Sequence, residues 1–269
     1  MKKYIAAFFT LVPLLIVPMT PALAIDANKI ISDYYTNTGG KEAWKKLKGV
    51  KFIGEINQGG MKFPFELVNL KGGKQYMKIT LQGKTLKQGV FDGNVMWNTN
   101  FMTMKAEKAD AETTANQKLN NNDFPDGLFN YKENGYKVEL QGDETIDGTE
   151  TYKIKLVKEP VTVDGKKEDD VSYYYFDTEA LVPLVIEAKV NVGPAKGKMS
   201  QTKLSDYQEV NGLYFPFSIT QGLKDGPSIS MVINKVVLNP KVDDSEFSLP
   251  AEPAQDKKAE DKKPAAQKD

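Results

Sequence analysis

The chain has 269 residues, with 36 basic side chains balanced by 36 acidic ones, no His and no Cys. Every cation is Lys, because no Arg occurs. These absences exclude a Ser-His or Cys-His nucleophile, an imidazole or thiolate ligand set for zinc, copper or iron, and any disulfide. Carboxylates, Lys, Tyr and hydroxyls remain, which leaves room for a two-carboxylate hydrolase or an oxygen-ligated cation. A balanced charge without Arg argues against a nucleic-acid partner, whose binders concentrate basic residues.

Lys2 and Lys3 precede an apolar run from Tyr4 to Met19, followed by Ala22 and Ala24. This is the pattern of a cleavable export signal over residues 1–24, with cleavage after Ala24 and a periplasmic destination. The run is too short and too Pro-interrupted for a stable membrane span. No Cys follows to carry a lipid anchor, so the mature chain is expected to be released. Residues 25–250 read as one domain. At its start Asp26 can cap a helix, Ile30/Tyr34 and Ile31/Tyr35 share one face, and Gly39-Gly40 supplies a stop. A short second helix over Lys41 to Leu47 turns Trp44 and Leu47 inward.

After Gly49 the punctuation becomes that of hairpins. Gly59-Gly60, Gly72-Gly73, Asp92-Gly93, Asp147-Gly148, Asp164-Gly165, Asn211-Gly212 and Asp225-Gly226 separate segments with period-two alternation. Phe63, Phe65, Leu67 and Leu213, Phe215, Phe217, Ile219 are examples. About ten or eleven antiparallel strands follow, joined in a meander. A sheet that wide must curl, placing its apolar faces inside. A polar helical stretch around Glu107 to Leu119 interrupts the strands and is expected to lie across the mouth.

Several segments are candidates for the interior. Val95 to Met104 gathers Met96, Trp97, Phe101, Met102 and Met104, either an adaptable lining or ordinary core. Phe124, Leu128 and Phe129 lie in a long connection that is either a movable lid or a fixed plug. Tyr173, Tyr174 and Tyr175 read as a core strand. Glu168-Asp169-Asp170 and Asp243-Asp244 lack the oxygen-ligand spacing of a calcium loop and read as solvated turns. No Gly-rich phosphate cradle occurs. From Ala251 to Asp269 the chain is Ala, Glu, Pro, Gln, Asp and Lys, the composition of a disordered tail.

Taken in order, Gly39-Gly40 with Ala43 and Leu47, Asp92-Gly93 with Trp97, Asp126-Leu128-Tyr131, Asp147-Gly148 to Tyr152, Tyr175-Phe176-Asp177, Val210-Asn211-Gly212-Leu213 to Pro216, and Asn239-Asp243-Phe247-Pro250 resemble the outer membrane lipoprotein-sorting proteins, the LolA and LolB carriers. The resemblance implies a mainly β fold, an unclosed barrel of about eleven strands with an N-terminal helix and a helical lid over an apolar cavity. It also implies a periplasmic, non-enzymatic carrier of lipid or lipoprotein acyl chains, without metal or cofactor. The expected lining comprises Phe63, Phe65, Leu67, Met77, Ile79, Met96, Trp97, Phe101, Met102, Phe124, Leu128 and Phe129. Such carriers latch the lid with an Arg, which this chain lacks, so a latch here needs other residues. Two further readings stay open: an envelope sensor or scaffold that binds a protein partner through a filled sheet, and a hydrolase with two facing acids.

Overall fold

The computed structural model describes residues 25–250. The predicted signal and the C-terminal tail both lie outside them. Helix α1 (Ala27–Asn37) starts where the Asp26 carboxylate accepts a 2.8 Å hydrogen bond from the Lys29 amide, and it buries Ile30, Ile31, Tyr34 and Tyr35. Gly39 and Gly40 turn the chain through positive φ into α2 (Lys41–Lys46), which buries Trp44.

Six strands follow: β1 (Gly49–Gln58), β2 (Met61–Leu70), β3 (Gln75–Leu81), β4 (Lys84–Phe91), β5 (Met96–Thr99) and β6 (Ala106–Lys108). Helix α3 (Ala111–Leu119) and a long connection through residues 120–136 lead to β7 (Lys137–Ile146) and β8 (Thr149–Val157). A small hairpin of β9 (Val161–Val163) and β10 (Lys166–Glu168) stands apart as its own sheet. The chain closes with β11 (Val171–Asp177), β12 (Pro183–Lys189), β13 (Met199–Val210), β14 (Leu213–Leu223) and β15 (Ser228–Leu238).

Thirteen of these strands form one antiparallel sheet in the order β6-β5-β4-β3-β2-β1-β15-β14-β13-β12-β11-β8-β7. It is two meanders zipped together by the β1–β15 pair, not a single run. All seven predicted turn pairs fall between consecutive strands. Gly59-Gly60, Asp147-Gly148, Asp164-Gly165 and Asn211-Gly212 have positive φ at both positions, as a tight hairpin requires. The strand count exceeds the sequence expectation because β5, β6, β9 and β10 are only three or four residues long. So few alternations do not reveal a period of two. The helix expected from Glu107 begins later, because Glu107 pairs with Asn98 in the sheet. Asp110 then caps α3 through the Thr113 amide at 2.7 Å.

Both faces of the sheet carry packed side chains. The large inner cluster joins α1, α2 and the 120–136 connection to the strands. A smaller outer cluster of Val68, Tyr76, Val90 and Trp97 is covered by Phe247. The segment bearing Phe247 is pinned to the strands from several sides. Trp97 Nε1 donates to the Phe247 carbonyl at 2.9 Å, Lys78 and Lys87 pair with Glu246 at 3.1 and 2.8 Å, and Lys74 pairs with Asp244 at 2.7 Å. Burial, with Glu66 and Glu246 nearby, pushes the Tyr76 hydroxyl up to about 12.

The α1–α2 junction is docked onto the Asn211-Gly212 turn, where the Tyr214 amide donates to the Thr38 carbonyl at 3.1 Å. At Gly39, with φ +122°, a Cβ would overlap the Gly212 carbonyl oxygen, whereas at Gly40 it would meet open space. Gly39→Ala is therefore expected to destabilise the chain by about 2 kcal/mol or more, and Gly40→Ala by about 1 kcal/mol. Urea unfolding of the two variants measures the difference, and equal costs would contradict this docking.

Candidate functional site

The inner face is organised in cross-strand rows, since directly paired residues share a face. Met77, Leu67, Phe52 and Val236 form one row across β3, β2, β1 and β15. The next is Leu86, Ile79, Phe65, Gly54 and Ile233. A third runs Phe63, Ile56, Met231, Ile219 and Leu204. Phe52, Phe63, Leu67, Met77, Ile79, Phe217, Ile219 and Ile229 pack against the inner cluster yet stay only half-buried. The wall is thus hydrocarbon that the helices do not cover completely.

What lies over it is a lid of α1, α2 and the 120–136 connection. An aromatic chain ties the lid to the sheet: Tyr35 meets Phe129 at 5.0 Å and Trp44 at 6.2 Å, Trp44 meets Phe215 at 5.1 Å, and Phe215 meets Phe52 at 5.9 Å between ring centres. Under this lid a cavity of about 130 Å³ is bounded by Tyr34, Trp44, Val50, Phe52, Phe124 and Phe215. Sites for drug-sized ligands run to about 300–1,000 Å³, so this space is smaller than such a site.

Polar anchors fasten the connection. Tyr35 donates to Asp126 Oδ1 at 2.6 Å, the Leu128 amide donates to the same oxygen at 2.8 Å, and Tyr131 donates to Asn28 at 2.6 Å. Lys158, the residue just past β8, forms a hub, reaching Asp123 at 3.0 Å, Asp170 at 3.1 Å and Asn120 at 2.6 Å. Burial pulls the Lys158 pKa down, but Asp170 and Asp123 more than restore it. Tyr136 also donates to Asp123, at 2.9 Å. Burial pushes the Asp126 carboxyl above its ordinary value, against the hydrogen bonds from Tyr35, Leu128 and Phe129. Burial and the Asp126 charge likewise raise the Tyr34 and Tyr35 hydroxyls.

The structure brings most of the expected lining together. Phe65, Phe124, Leu128 and Phe129 are buried in the inner cluster, and Phe63, Leu67, Met77 and Ile79 pack beside them. Met96 is half-buried next to its cross-strand partner Phe91. Three residues do not belong there. Trp97 pairs with Val90 on the outer face, because its neighbour Met96 takes the inward position of the pleat. Phe101 and Met102 sit in the tight β5–β6 turn, 62% and 94% exposed, where the Asn100 side chain accepts from the Met102 and Thr103 amides at 2.8 and 3.0 Å. A turn held by its own backbone leaves these side chains nothing to pack on.

Sequence reasoning missed Asp123, Asp126 and Lys158 as anchors. Their signal was present, since two acids inside the apolar run Phe124 to Phe129 and its flank must find partners if the run is buried. It also missed Glu187, buried on the outer face with Lys224 at 2.9 Å, Gln201 at 2.8 Å and Tyr175 at 3.0 Å. Burial opposes its ionisation, but these partners hold its pKa below the ordinary value. The carboxylates of the lid are likewise engaged, Asp123 by Lys158 and Tyr136 and Asp126 by Tyr35 and backbone amides, so neither is a free acid or base.

Among solved structures, an outer membrane lipoprotein-sorting protein domain from Vibrio parahaemolyticus superposes with a TM-score of 0.50 at 10% identity, covering 81% of this chain and 94% of its own. A DUF1329 family protein from Desulfovibrio piger gives a TM-score of 0.49 at 15% identity, over 83% and 98% of the two chains. A LolA superfamily protein from Nitrosomonas europaea gives 0.48 at 13% identity, over 84% and 98%. No family model and no curated protein sequence matches the chain. The chain shares the fold of the Vibrio lipoprotein-sorting domain, with an open sheet in place of a closed barrel.

Two substitutions test the anchors. Asp126→Asn keeps an oxygen for Tyr35 and Leu128 while removing the charge. A carboxyl whose pKa is raised by folding contributes most below its unfolded value near 3.8, and that contribution is lost as the pH rises through the raised value. The variant is therefore expected to be more stable than the native chain at neutral pH, with the gain vanishing toward acid; urea midpoints across pH that move in parallel would contradict it. Lys158→Met strands Asp123 and Asp170 without their cation and is expected to cost about 3 kcal/mol. Limited proteolysis should then cut the 120–136 connection first.

Proposed function

We propose that the protein is an exported, non-enzymatic envelope carrier that shields the acyl chains of a lipid or lipoprotein in transit. The observation that carries this reading is the inner wall: inward-facing Phe63, Leu67, Met77, Ile79, Phe217 and Ile219 remain half-buried against a core that elsewhere excludes water. Apolar surface left partly wet gains about 25 cal/mol per Å² when a hydrocarbon covers it, and each methylene so hidden contributes about 0.8 kcal/mol. The grip is non-directional, so cargo is held without being locked in place. The fold shared with the Vibrio lipoprotein-sorting domain supports the same reading, as does the export pattern of residues 1–24. Lys158, just past the end of β8 and paired with Asp123 of the lid, supplies the fastening for which no Arg is present. Opening the lid costs an ion-pair hub that binding along the wall must offset.

A fluorescent fatty acid titrated into the mature protein is expected to bind saturably and to be displaced by palmitate. The double variant Phe63→Asp with Met77→Asp places charge beside the chain and is expected to weaken binding at least about tenfold. Absence of saturable binding, together with lipid-free mass spectra of protein taken from its native envelope, would defeat the carrier reading.

A further inference from the structure

The inner faces of β2 and β3 change chemistry along their length. β2 presents Phe63, Phe65 and Leu67 and then Asn69; β3 presents Ile79 and Met77 and then Gln75. Asn69 and Gln75 are direct cross-strand partners, so the hydrocarbon wall ends in a side-by-side pair of carboxamides. At that end lies a second cavity, of about 220 Å³, to which Gln117 of α3 and Asn120 also contribute. It shares Asn69, Phe124 and Pro125 with the apolar cavity, so the two spaces stand on either side of one thin wall.

The charges around this cavity are already matched. Asp123 is held by Lys158 and Tyr136, and Lys74 by Asp244. The carboxamides are not used up. Gln75 is engaged at both polar atoms, its Oε1 accepting from Gln117 at 3.4 Å and its Nε2 donating to the Gly89 carbonyl at 3.4 Å, and Asn120 Oδ1 accepts from Lys158; Gln117 Oε1, Asn120 Nδ2 and both polar atoms of Asn69 have no hydrogen-bond partner among the described residues. Donors and acceptors of equal number and no net charge suit hydroxyl groups, which both donate and accept. They do not suit a phosphate or carboxylate, which would need an unpaired cation to replace its lost hydration.

We infer that this cavity is a headgroup site, and that the cargo is an amphiphile whose uncharged, hydroxyl-rich head lies among Asn69, Gln75, Gln117 and Asn120 while its chain runs along β2 and β3. This inference rests on the carrier reading and adds the class of cargo to it.

Probes sharing one chain and differing in their heads test it: dodecyl glucoside, dodecanoate and dodecylphosphocholine, each below its micelle concentration, titrated into the mature protein by calorimetry. Dodecyl glucoside is expected to bind about tenfold more tightly than the other two, the worth of one or two net hydrogen bonds. Gln117→Leu is expected to erase that preference while leaving dodecanoate binding within about twofold; Gln117→Ser serves where the larger change prevents folding. Equal binding of the three probes would overturn the headgroup site and leave the carrier standing. Binding of none would overturn the carrier. A dodecanoyl peptide that outcompetes the glucoside would overturn the assignment to a hydroxyl-rich head.

Discussion

Two short helices and one connection must cover the inner face of a thirteen-stranded sheet, and they are too small to do so. Most other features follow from that mismatch. α1 and α2 fill one end of the trough with Tyr34, Tyr35 and Trp44, and the aromatic contacts to Phe52 and Phe215 are as dense there as in an ordinary core. Farther along the same strands the rows through Phe63, Ile79 and Ile219 have neighbours on the sheet but incomplete cover above it. Cover is thus fuller where the helices sit, apart from the small cavity beneath them, and thinner where they do not.

The lid is held over this surface by polar contacts more than by bulk, and burial makes those contacts strong only as a set. Lys158 is stable as a cation because two carboxylates face it, and those carboxylates are tolerable because Lys158 is there. Asp126 is different in kind, since hydroxyl and amide donors serve it without any cation. Burial opposes its ionisation more than those donors favour it. On the outer face the same logic produces Glu187 with Lys224, and Glu246 between Lys78 and Lys87.

Much of this was legible in the residues. The turn pairs and alternation located the long strands, and Asp26, the Ile30/Tyr34 spacing and Gly39-Gly40 bounded the first helix. Those signals are local, and local geometry obeys them. The three- and four-residue strands were hidden because so short a stretch has no measurable period. Trp97, Phe101 and Met102 were assigned to the lining on composition, yet the pleat sends Trp97 outward and a tight turn sends the other two into solvent. The Lys158 hub was invisible for another reason, as its members are Asn120, Asp123, Lys158 and Asp170, brought together by tertiary packing. The Asn69–Gln75 boundary lay in plain view once register was known, because register alone decides which side each residue faces.

The two outermost strands of the large sheet, β6 and β7, are never paired with one another. A closed barrel has a fixed bore, set by strand number and stagger, and widening it means tearing a backbone ladder. Here the rims can move apart by a few degrees of twist per strand with every interstrand hydrogen bond intact. In the proposed carrier the trough would act as a spring clip, taking hydrocarbons of differing girth at a cost in elastic bending alone.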